Sequence, residues 1–84
     1  MNPDELKSIL ESAFPTAQVD ADGDGSHFSV RIVSDDFDGL TAVKRQQKVY
    51  SNVDEHIKSG AIHALSIKTY TQSEWATASK LQLG

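Results

Sequence analysis

Eighty-four residues with eight basic and twelve acidic side chains, a formal charge of -4, leave room for one small hydrophobic core and no second one. With 38% hydrophobic and 24% charged residues the composition is that of a globular chain, and no apolar run approaches the roughly 18–20 residues of a membrane span. The absence of cysteine excludes disulfides, a thiol nucleophile and any thiolate metal site built by this chain alone, so a metal ligand from it must be His or carboxylate.

Residues 1–84 are therefore expected to form a single domain. A domain this short buries about three-fifths of its unfolded surface and has little room for a deep substrate pocket, which favours a binding module over an enzyme. The N-terminal stretch lacks the basic start and unbroken apolar run of a signal peptide, and a cytoplasmic location is expected. Charge is divided along the chain: Met1 to Leu40 carries two basic against nine acidic residues, Thr41 to Gly84 six against three. Such a dipole lets a basic face attract an anion even on an acidic protein.

In chain order, Asn2 and Pro3 form an N-cap and first-turn proline, and Leu6, Ile9, Leu10 and Ala13 recur at helical spacing, predicting a first helix that ends near Phe14. The stretch DADGDGS supplies turn residues between Ala17 and Val19 on one side and Phe28, Val30 and Ile32 on the other, the pattern of a hairpin. After a polar turn at 36–39, Leu40, Val43, Tyr50, Val53 and Ile57 are expected on the inner side of an amphipathic helix, or of two short ones broken near Ser51 and Asn52. Beyond Gly60 the run AIHALSIKTY predicts a third strand with Ala61, His63, Leu65 and Ile67 on one face. Thr71 and Glu74 have the spacing of a capping box and open a last helix. The order α-β-β-α-(α)-β-α gives an α+β sandwich, a three-stranded sheet with helices on one face, whose strand order the pattern leaves open.

Few motifs carry chemistry. Asp20, Asp22, Asp24 and Gly25 match the first half of an EF-hand loop, but Arg31 stands where the bidentate Glu should be and the flanks read as strands, so an acidic hairpin is the expected outcome. His56 reads as a solvated helix residue, His27 as an exposed one beside the turn, and His63, by spacing alone, as a structural histidine at a strand entrance. Lys44, Arg45 and Lys48 form a basic patch on one helix that could contact phosphates or simply face solvent. No nucleophile–base–acid set can be placed, so catalysis is not expected.

Several signatures fall in register: Ser26-His27-Phe28 before an alternating strand, Phe37-x-Gly39, a basic helix ending Val49-Tyr50, Ile62-His63-Ala64-Leu65, and Thr71-x-x-Glu74-Trp75. Together, over essentially the whole chain, they resemble the BolA family, and within it the short bacterial IbaG-type branch associated with acid stress. The resemblance implies a class II KH-like fold. It also implies a heterodimer with a monothiol glutaredoxin around a bridging 2Fe-2S cluster, a role in iron-sulfur trafficking and iron homeostasis, and in some members DNA-binding transcriptional regulation.

In such a complex the partner's cysteine and a glutathione thiolate would supply sulfur while this chain offers imidazole. His63 matches the family's invariant histidine and so becomes the expected cluster ligand. The second ligand stays open: relatives place Cys or His within Asp22-Gly23-Asp24-Gly25, and here His27 is the nearest replacement, with Asp24 the carboxylate alternative. The partner is expected to dock over the hairpin and third strand. Gln46 departs from an Arg-His-Arg helix motif of relatives, which bears on DNA binding through Lys44, Arg45 and Lys48. The free chain is expected as a monomer or weak homodimer, with no membrane partner and no cofactor of its own. Histidine protonation would add a pH response to the same site.

Overall fold

The computed structural model describes residues 1–82. Helix α1, Pro3–Ala13, starts as its sequence predicts: Asn2 Oδ1 accepts from the Glu5 N–H at 2.9 Å, and Asn2 Nδ2 donates to Glu5 Oε1 at 2.9 Å. This satisfies a first-turn donor that would otherwise face water unpaired. Leu6 and Leu10 on its inner face, and Phe14 just past its end, are buried.

Strands β1, Gln18–Asp24, and β2, His27–Val33, form the antiparallel hairpin. Its turn is shorter than the stretch of turn residues suggests, because β1 keeps its pairing through Asp20, Asp22 and Asp24 and only Gly25 and Ser26 are left to reverse the chain. Gly25 has φ +65° while no non-glycine residue described has positive φ, the sign pattern of a type II′ turn. The aspartates are tolerated in an edge strand because all three are exposed. Gly23, opposite Phe28, keeps the ladder closed: a Cβ there would strike the Phe28 ring and lie 2.7 Å from the His27 carbonyl oxygen.

A single 3-10 turn, Asp35–Phe37, places the fully buried Phe37 against Phe14, ring centroids 5.5 Å apart. Helix α2, Ala42–Tyr50, is capped by Thr41 Oγ1, which accepts from the Lys44 N–H at 3.2 Å, and α3, Asp54–Lys58, follows a break at 51–53 where one was expected. The buried side of α2 is not the expected one. Val43 is 64% and Tyr50 39% exposed, whereas Val49 is fully buried. The inner face runs instead through Arg45 and Val49, one turn apart, because the Arg45 side chain is held by Glu74 and only 13% exposed.

Strand β3, Ala64–Tyr70, pairs parallel to β2, giving the order β1-β2-β3 with β2 central. The helices α1, α2 and α3 lie against the face formed by Val19, Phe28, Val30 and Ile32, joined there by Phe37, Val53 and Ile62. Helix α4, Gln72–Gln82, opens on the expected capping box: the Glu74 N–H donates to Thr71 Oγ1 at 3.2 Å and the Thr71 N–H to Glu74 Oε1 at 2.9 Å. Its Trp75 packs on Tyr70 at 5.2 Å between centroids and lies 4.2 Å beneath the Arg31 guanidinium, at the end of the sheet's second face.

Candidate functional site

The third strand begins later than its alternating pattern suggests, and this decides where His63 goes. Ile62 turns into the core, its N–H donating to the His56 carbonyl at 3.0 Å. His63 and Ala64 are then both exposed, so the alternation skips one residue before Leu65 and Ile67 return to the covered side. The expected common face of Ala61, His63, Leu65 and Ile67 is thereby broken, and His63 is released from the apolar face to solvent. Its backbone is nonetheless fixed: the N–H groups of His63 and Ala64 both donate to the Ser26 carbonyl, at 2.8 and 3.3 Å.

His27 opens β2 directly beside this point. It is opposite Ala64 in the parallel ladder and opposite Asp24 in the hairpin. The structure thus gathers His63, His27 and Asp24 at one end of the sheet, two exposed imidazoles and one exposed carboxylate from three strand ends. Neither imidazole makes a hydrogen bond among the described residues, so both keep a ring nitrogen free for a ligand. Among those residues no three His, Cys, Asp or Glu side chains gather closely enough to hold a metal ion. A 2Fe-2S cluster takes four protein or thiolate ligands, so two free imidazoles fit part of its ligand set and leave the sulfur side to another molecule. His56 is apart from this group in function: it is half-buried on α3, and its carbonyl closes the chain onto Ile62. Asp20, Asp22 and Asp24 lie along an extended strand rather than around a loop, and Asp20 is paired with Arg31.

The basic helix is divided. Lys44 and Lys48 are exposed on α2. Arg45 is not part of the same free surface: its Nη1 and Nη2 donate to the two Glu74 carboxylate oxygens at 2.6 and 3.1 Å, and its Nε donates to the Leu40 carbonyl at 3.0 Å. That two-pronged pairing, with the Thr71 N–H behind it, holds the Glu74 carboxyl down at about 2, well below its ordinary 4.5. Sequence reasoning found Glu74 as a cap and Arg45 as a phosphate contact. Their partnership across 29 positions leaves no local signal.

Comparison with known proteins follows the same lines. The family described as BolA-like protein matches residues 1–74. The acid stress protein IbaG of Escherichia coli K12 is 47% identical over 81 residues, covering 96% of each chain. Among solved structures, a bolA protein homologue from Coxiella burnetii superposes with a TM-score of 0.80 at 36% identity, covering 90% of this chain and 97% of that one. The BolA domain of SufE1 from Arabidopsis thaliana gives 0.77 at 31% identity, over 86% and 93%. Fold and sequence agree, and the chain belongs to the BolA family.

Proposed function

We propose that this chain is a cytoplasmic adaptor that binds a monothiol glutaredoxin and shares with it a bridging 2Fe-2S cluster, in iron-sulfur trafficking, iron homeostasis and the response to acid stress. The observation that carries this reading is the exposed pair His63 and His27 at the joint start of β3 and β2. Two free imidazoles on ordered backbone, with no thiolate in the chain, are half of a mixed ligand set and call for a sulfur-bearing partner. When bound, the cluster would supply one-electron chemistry and transferable iron and sulfide. This chain's own residues would position two imidazole nitrogen donors: the Ser26 carbonyl fixes the backbone of His63, and the parallel ladder that of His27. Asp24, across from His27, is the alternative second donor. The name of the Escherichia coli relative supports the acid-stress part of the reading.

The test is visible absorption and circular dichroism of a mixture with a monothiol glutaredoxin, glutathione, iron and sulfide. A spectrum distinct from that of the glutaredoxin homodimer, lost with His63→Ala and altered with His27→Ala, is expected. A spectrum that the chain leaves unchanged sinks the proposal, and an unaltered His27→Ala spectrum moves the second donor to Asp24. The DNA-binding alternative through Lys44, Arg45 and Lys48 lacks comparable support, because Arg45 is occupied by Glu74 and Leu40.

A further inference from the structure

The second face of the sheet carries a groove of about 490 Å³ that the cluster reading leaves unused. Alternation turns Phe28, Val30 and Ile32 to the core and sends Ser29 and Arg31 to this face, where Asp22 of β1 and Ser66, Lys68 and Tyr70 of β3 join them. The register sets the pattern: Asp22, Ser29 and Ser66 form one row across the three strands, and Arg31 is opposite Lys68 in the next.

Arg31 is not a free charge in this groove. It is paired with Asp20 and its guanidinium rests on Trp75, so it belongs to the fixed floor. Two opposite charges remain without an ion-pair partner among the described residues: the Asp22 carboxylate, whose Oδ1 accepts only the Gly23 N–H at 2.8 Å, and the Lys68 ammonium. They stand on the two edge strands, two inter-strand spacings apart and two residues offset, or about 12 Å from Cα to Cα. Between them lie the Ser29 and Ser66 hydroxyls, each able to donate and accept. The groove is neutral overall but polarised, which matches neither a simple anion nor a simple cation. It matches a ligand with an ammonium at one end, a carboxylate at the other and amides in between. An extended chain spans about 3.5 Å per residue, so three residues bridge about 10 Å and the Lys68 side chain covers the remainder.

We propose that this groove binds a short zwitterionic peptide of about three residues, its amino end on Asp22 and its carboxyl end on Lys68. The site goes beyond the adaptor reading and is independent of it. The test is an ¹H–¹⁵N NMR titration of the full chain with trialanine, dialanine, pentaalanine, and trialanine capped at either end. Trialanine should give saturable shifts at Ser29, Ser66 and Lys68 and bind most tightly. Acetylating its amino end, amidating its carboxyl end, or making Asp22→Asn or Lys68→Gln should each weaken binding about two- to five-fold, the range of an exposed ion pair. Lys80→Gln, outside the groove, should leave it unchanged. No saturable shift, equal affinity for capped and free trialanine, or an affinity that neither groove substitution lowers overturns the proposal.

Discussion

Glu74 shows how one side chain can serve two elements: it closes the capping box of α4 and receives the Arg45 guanidinium of α2. A carboxyl held at about 2 against an ordinary 4.5 binds its proton more weakly in the folded chain. Its contribution is therefore full above the ordinary value and is lost as pH falls through 4.5 towards 2. The carboxylate is 46% exposed, and screening reduces the effect to about 1 kcal/mol. Glu74→Gln should lower urea stability by that amount at neutral pH, and the gap to the native chain should close on acidification. A gap that persists unchanged at pH 2–3 would show that the ion pair contributes nothing. Gly23 makes a second residue-scale prediction. Gly23→Ala forces the Phe28 ring or the hairpin backbone to move, and should cost about 1–3 kcal/mol in the same measurement.

Among the elements, those with local chemistry were legible in the sequence. The N-cap of α1, the capping box of α4, the hairpin turn and the break after Tyr50 rest on contacts between residues a few positions apart. What was not legible depended on partners far along the chain. The rotation of α2 follows from Arg45 reaching Glu74, so hydrophobic spacing pointed to Val43 and Tyr50 while packing chose Val49. The exposure of His63 follows from Ile62 entering the core and from the Ser26 carbonyl taking two successive N–H groups, which breaks the alternation. Spacing alone read that histidine as structural, and only the family resemblance singled it out as a ligand. The phase of α2 is checkable by denaturation: Val49→Ala should cost about 2 kcal/mol, and Val43→Ala should stay within about 0.5 kcal/mol. Equal costs would contradict the packing described.

For the whole molecule, the fold converts the charge division of the sequence into a division in space. Asp20, Asp22 and Asp24 lie on β1, one edge of the sheet, while Lys44 and Lys48 lie on α2, which packs along β3 at the other, with Tyr50 Oη 3.4 Å from the Leu65 carbonyl oxygen. A partner approaching His63 from the β3 side meets the lysines first. Its association rate should fall about ten-fold or more from low to physiological salt, and Lys44→Glu with Lys48→Glu should remove most of that dependence. A rate that rises with salt would place that partner on the acidic β1 side. The parallel joining of β2 to β3 has a consequence of a different kind. His27 and His63 are 36 positions apart and become neighbours only when the crossover through α2 and α3 has closed. Anything that grips both rings therefore recognises the completed chain and not its unfolded form. Such a ligand would act as a clasp on the slowest-closing part of the molecule, slowing its opening and raising its stability with ligand concentration.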